Sequence, residues 1–188
     1  MARFLALLPI ALFVLPRAAH AQSAPTVRFD LATGVLAGSA QGKGVSAASI
    51  APALQVDFGA QLGEHAAVFA RLEGGTIALA NEGGAYFLGE WTPHPLLSVG
   101  TGIGYEGMSF TWIGGCDRSV GPCVQNSWSG ISVPLVLGLN LQPRHAASRG
   151  EPDHHGRVRI ELEAAGGYDA RTETWGMHGF VGVGWTWM

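Results

Sequence analysis

Charge is scarce in this sequence. Aspartate, glutamate, lysine and arginine make up 13% of the 188 residues, about half the share of an average soluble domain. A single lysine, Lys43, occurs in the whole chain. Cysteine is nearly absent too. The two present, Cys116 and Cys123 in "CDRSVGPC", have no nearby partners and make at most half of a zinc shell, which argues against a metal site there. Past the first residues no apolar run is long enough for a membrane helix. No repeat of fixed period appears, and the net charge is negative, −3, so nothing suggests nucleic acid as a partner. Each absence narrows the choice to a chain that is neither a helical membrane protein nor a heavily charged soluble one.

The opening "MARFLALLPIALFVLPRAAHAQSAP" has Arg3, an apolar core over residues 4–15, and Ala19-His20-Ala21 as a small-x-small pattern. That arrangement predicts a cleaved secretory signal peptide over residues 1–21, because the apolar stretch is too short to span a bilayer. An uncleaved anchor is the alternative. Residues 22–188 are then one domain's worth of chain. Arg3 and Arg17 leave with the leader, taking the formal charge to −5. Export also exposes Cys116 and Cys123 to an oxidising compartment, where a disulfide between them can persist.

What the sequence has in abundance is alternation with period two. Eight segments show it: residues 26–38, 49–62, 66–80, 84–92, 95–110, 128–142, 156–169 and 178–188. The sixth is the clearest, with Ile131, Val133, Leu135, Leu137, Leu139 and Leu141 on one face. The seventh sets Val158, Ile160, Leu162 and Tyr168 against Arg157, Arg159, Glu161, Glu163 and Asp169. Eight strands of this length suit a closed up-and-down barrel better than a small sandwich. Short turns are expected at 63–65, 81–84 and 93–95, and long connections at 39–47, 111–127 and 143–155. The 28 glycines suit strands that curve tightly around bulky neighbours.

Alternation alone leaves open which face points outward. A soluble carrier would turn the apolar face in and the charged face out, and a membrane barrel does the reverse. The shortage of charge favours the membrane arrangement. So do the glycine, serine and alanine residues spaced between the charges, and the aromatics near strand ends, Trp91, Tyr105, Trp128, Tyr168, Trp185 and Trp187, placed as interfacial girdles. On this reading Arg28, Asp30, Asp57, Arg71, Glu73, Glu90, Glu106, Arg157, Arg159, Glu161, Glu163 and Asp169 point into the lumen. Opposite charges in so narrow a space should pair, because an unpaired buried charge is costly.

With these features, and with Val181, Val183, Trp185 and Trp187 alternating in the last segment, the chain resembles the small eight-stranded outer-membrane β-barrel proteins of Gram-negative bacteria, the class of the OmpA transmembrane domain and OmpX. The resemblance implies an all-β, eight-stranded antiparallel up-and-down transmembrane barrel set in outer-membrane lipid. It also implies both termini in the periplasm, short periplasmic turns, longer outside loops, and a last strand read by the barrel assembly machinery. The sequence departs from the usual terminal aromatic by ending in Met188. It departs again in loop lengths, with a long 143–155 on the periplasmic side and a short 81–84 outside.

Enzymatic readings find little support. Lipid A deacylase barrels carry a histidine two residues before a serine, and none of His65, His94, His145, His154, His155 or His178 has that spacing. His154 and His155 beside Asp153 are more simply solvated loop residues than metal ligands. "GIGYEG", residues 102–107, matches a dinucleotide-binding pattern of glycines but sits within a strand segment and opens no helix, so no cofactor is implied. The cysteine loop is the best candidate for binding an extracellular ligand, and ring closure would stabilise it by about 2 kcal/mol in the chain-entropy model. The expected function is structural or interactive and not enzymatic. The alternatives are a soluble lipocalin-like carrier of a small apolar ligand, a lipid-modifying barrel enzyme, and a narrow pore.

Overall fold

The structure, a computed structural model, describes residues 25–42, 45–77, 80–110, 126–141 and 156–188. The proposed signal peptide and the Cys116–Cys123 pair lie outside these residues, as do Lys43 and the 143–155 connection. Eight strands run in chain order: β1 (Thr26–Gly42), β2 (Val45–Gln61), β3 (Ala66–Ile77), β4 (Ala80–His94), β5 (Leu97–Phe110), β6 (Asn126–Leu141), β7 (Arg157–Asp169) and β8 (Thr174–Trp187). Each pairs antiparallel with its neighbour, and β1 pairs with β8 from Phe29↔Trp187 to Gly42↔Thr174, closing the barrel. Closure leaves no unpaired strand edge, which suits a chain with few charges to guard one.

The outer face is apolar. Val27, Leu31, Leu54, Phe58, Leu72, Phe87, Ile103, Ile131, Leu135, Leu162, Val181 and Val183 are all exposed. Along β2 and the residue after it, the outward apolar residues run from Ile50 to Leu62, about 40 Å at ~3.4 Å per residue. A tilt of about 45° turns that into roughly 29 Å, the thickness of a bilayer's hydrocarbon core. Beyond this band β1 and β2 continue with outward Ser39, Gln41 and Ala48.

That continuation corrects the expected long connection at 39–47, since the ladder runs unbroken through Ser39↔Ala48 to Gly42↔Val45. Backbone pairing needs no apolar alternation where the strands leave the band. For the same reason residues 81–84 form no turn, because β4 begins at Ala80 and pairs Asn81 with Thr76 and Glu82 with Gly75. The eighth strand starts at Thr174, earlier than residue 178, and adds outward Trp175 and Met177. β6 ends at Leu141 and β7 begins at Arg157, both at the end where β1 begins and β8 finishes, and all eight expected strands are present.

Outward aromatics form two groups. Phe29, Trp91, Trp185 and Trp187 lie toward the end where β1 begins, with the Phe29 and Trp187 ring centroids 5.4 Å apart. Tyr105, Tyr168 and Trp175 lie toward the opposite end, with Tyr168 and Trp175 4.7 Å apart. Trp128 belongs to neither, contrary to the sequence expectation. It is 2% exposed and inside the barrel, where its indole N–H donates to the Thr174 carbonyl at 3.1 Å. The reason is parity. Residue 128 is an odd number of positions from Ile131 and so faces the other way.

The lumen is layered instead of uniformly polar. Apolar clusters of Leu36 with Phe180, of Phe69 with Leu88 and Val136, and of Met108 with Trp128 separate its charged groups. Glycine makes room for bulky side chains here, Tyr86 among them. A Cβ on Gly104 would strike the Tyr86 ring, whereas the neighbourhood of Gly89 is open. Gly104→Val is therefore expected to cost about 1–3 kcal/mol by overpacking and Gly89→Ala far less. Urea unfolding in lipid vesicles reads both.

Candidate functional site

Closing eight strands leaves an interior just wide enough for side chains, and here the inward parity of every strand delivers ionisable groups to it. Arg28, Asp30, Asp57, Arg71, Glu73, Glu90, Glu106, Arg159, Glu161 and Glu163 are all buried. Two of the residues assigned inward from sequence are not deep in the lumen. Arg157 opens β7 and is half-buried, and Asp169 closes β7 at the far rim, accepting from the Arg171 backbone N–H and the Thr172 hydroxyl, each at 2.8 Å. Both occupy strand ends, where the lumen meets the outside.

The buried charges join into one network across five strands. Arg28 of β1 donates to Asp30 at 2.6 Å and, across the barrel, to Glu90 of β4 at 2.6 Å. Glu90 also meets Arg159 of β7 at 2.6 Å, and Arg159 lies 3.0 Å from Glu161. Arg71 of β3 is fully buried and grips its cross-strand neighbour Asp57 with two hydrogen bonds, at 2.8 and 2.7 Å. Its remaining terminal nitrogen meets Glu161 at 2.6 Å and Glu163 closer still. Gln55 donates to Glu161 at 2.8 Å. The Phe69 ring lies between the Arg28 and Arg71 guanidiniums, 5.1 and 5.6 Å from its centroid. Such bidentate, charge-assisted contacts fix geometry as well as supplying energy.

Nearer the opposite mouth a second group gathers, and three of its members, His178, Tyr86 and Glu82, are not among the inward residues read from sequence. His178 of β8 places Nδ1 2.6 Å from Glu106 Oε2, and Nε2 3.0 Å from Glu73 Oε1 and 3.5 Å from Glu163 Oε1. Tyr86 Oη lies 2.8 Å from Glu106 and 3.1 Å from Glu73. Glu82, placed in a turn from sequence, is buried and accepts from the Ser49 hydroxyl at 2.7 Å. His178 shares parity with Gly182 and Thr186, opposite Val181 and Val183, and that was the signal available for it.

Among the described residues, eight buried carboxylates face three buried guanidiniums. Through Arg28, Arg71 and Arg159 this network links side chains of five strands across the lumen. Toward the mouth the lumen opens into a cavity of about 450 Å³ lined by Asn81, Glu82, Met108, Ser109, Ser127 and Trp128.

No protein-family model matches this sequence, and no curated protein matches it. Solved structures do match it in fold. It is similar to Ail, the attachment invasion locus protein of Yersinia pestis, solved with the heparin analogue sucrose octasulfate, at 12% identity and a TM-score of 0.50 over 85% of this chain and 98% of that one. It is similar also to neisserial surface protein A, at 9% identity and a TM-score of 0.51 over 85% and 96%. At these identities the likeness is one of fold, and the fold is that of the small eight-stranded outer-membrane barrels.

Proposed function

We propose that this protein is an integral barrel of the bacterial outer membrane, not an enzyme, whose ion-paired interior holds the barrel closed and whose rim and loops serve an envelope-supporting or surface-interaction role. The observation that carries this reading is the inverted pattern, an apolar outer band of bilayer thickness around a lumen containing the buried charges. Outer-membrane lipid covers the band, since a face like that of β6 would aggregate in water. The barrel assembly machinery is the expected partner for insertion, acting on β8 with its Val181, Val183, Trp185 and Trp187. An extracellular ligand, if one is bound, meets the segment 111–127, where the bridge between Cys116 and Cys123 is proposed to stiffen the loop at the rim opposite the end where β1 begins. Export under a leader over residues 1–21 belongs to the same reading.

The test is expression of the whole precursor in a Gram-negative host followed by fractionation. Recovery in the outer membrane, resistant to carbonate extraction, with no conductance in planar bilayers, is the expected result. Soluble periplasmic protein would instead support the carrier of an apolar ligand. Steady conductance would support a pore, and altered lipid A on overexpression would support a lipid-modifying enzyme.

A further inference from the structure

The guanidiniums of the lumen are consumed by the first charge network. Arg28, Arg71 and Arg159 serve Asp30, Asp57, Glu90, Glu161 and one oxygen of Glu163. Among the described residues the basic group nearest Glu73 and Glu106 is His178, and Glu82 has the Ser49 hydroxyl. Several of their atoms are buried without a hydrogen-bond partner, namely Glu73 Oε2, Glu82 Oε1, Glu106 Oε1, Glu163 Oε1 and His178 Nε2. A buried acceptor with nothing to accept from is costly, and Glu73, Glu163 and His178 lie together in the lumen.

We propose that Glu73, Glu163 and His178 bind a single divalent first-row transition-metal ion, for which Zn²⁺ is the natural probe. One ligand atom from each lies within 4.8 Å of the others. The tighter distances matter more. Ligands held about 2.0–2.1 Å from a tetrahedral zinc stand roughly 3.3 Å from each other, and His178 Nε2 lies 3.0 Å from Glu73 Oε1 and 3.5 Å from Glu163 Oε1. Nε2 therefore stands between two carboxylate oxygens at about the spacing that ligands around one ion require.

The other ring nitrogen completes the arrangement. Nδ1 is 2.6 Å from Glu106 Oε2, the carboxylate contact that fixes a metal-bound imidazole in its tautomer and orientation. The Tyr86 hydroxyl has one proton, and its shorter contact is to Glu106 at 2.8 Å, which leaves Glu73 Oε1 free for the ion. Glu106 is thus a positioning residue. Arg71 does the same for Glu163, holding Oε2 so that Oε1 faces His178. One imidazole and two carboxylates favour zinc and its first-row neighbours over magnesium or calcium, which prefer all-oxygen shells. Access comes from the mouth cavity, since Glu82, Met108 and Trp128 line it and also border the space between Glu73, Glu106 and His178.

The proposal rests on the barrel's interior and would survive failure of the surface-interaction reading. It is tested on the purified, folded barrel in detergent, with folding of every variant checked by the gel mobility shift on boiling, using Zn²⁺ titration against a chromophoric chelator. One ion per chain is expected. Glu73→Gln and His178→Gln should each weaken binding at least tenfold, and Glu106→Gln by roughly tenfold as expected for an outer-shell partner. Replacing His154 and His155 by alanine should change nothing. Absence of a bound equivalent, wild-type affinity in Glu73→Gln and His178→Gln, or loss of the ion in the His154/His155 variant would each overturn the proposal. ¹⁵N NMR of the wild-type imidazoles decides the matter even if a variant fails to fold. Zinc should move the His178 Nε2 resonance while Nδ1 stays protonated, and an unchanged His178 signal contradicts the site.

Discussion

Replacing Arg71 by methionine should lower the unfolding free energy of the barrel by at least about 3–5 kcal/mol, the cost of removing one partner from a buried ionic cluster. The side chain is fully buried and contacts Asp57, Glu161 and Glu163, so its loss strands Asp57 and removes a partner from Glu161 and Glu163. The charge excess makes matters worse, because the other two buried guanidiniums, Arg28 and Arg159, already serve other carboxylates. Arg71→Lys keeps the charge but loses the two-pronged grip on Asp57, and an intermediate loss is expected. Adding Asp57→Asn to Arg71→Met should recover part of the deficit, a coupling of roughly 0.5–3 kcal/mol. Urea unfolding in lipid vesicles measures these proteins together with the Asp57→Asn single variant that the cycle requires. Equal stability of wild type and Arg71→Met would show that the network does not hold the barrel closed.

The second large effect concerns the opposite face. Leu135 lies midway along the outward stripe of β6 and is 52% exposed. Leu135→Arg should cost about 2–4 kcal/mol, the midplane penalty for a basic residue facing lipid, while Gln41→Arg at the end of β1 should cost ~0–1 kcal/mol. The contrast between the two, more than either value, reports on the membrane. A soluble barrel would tolerate Leu135→Arg as a surface change, and the two variants would then unfold alike.

Much of this architecture follows from parity, and parity is legible in sequence. Once Ile131 to Leu141 are assigned outward, Val136 and Asn140 must face inward, as they do. Parity also accounts for Trp128. Trp128 was grouped with the interfacial aromatics by its residue type and its place near a strand end, although its position number sets it inward. Strand ends were harder to see for a different reason. Outside the lipid band side chains are free to be small or polar, so Ser39 to Gly42 and Ala80 to Gly83 carry no alternating signal while their backbones still pair.

The partners within the lumen lie further from what a sequence can carry. Arg28 bonds Glu90 from nearly the opposite wall of the barrel, a meeting set by strand tilt and stagger. His178 illustrates the same limit. Its inward direction could be read from Gly182 and Thr186, but its convergence with Glu73, Glu106 and Glu163 depends on three other strands arriving at one height.

The central claim is that the apolar face lies in lipid and the charged face in the lumen. Two single-tryptophan proteins test it most directly, one retaining only Trp185 and the other only Trp128, with the remaining tryptophans changed to phenylalanine. Each is folded into vesicles of ordinary and of brominated lipid, and its fluorescence is compared. Strong quenching of Trp185 with little quenching of Trp128 is the predicted result. Quenching of Trp128 as strong as that of Trp185, or none for either, would contradict it.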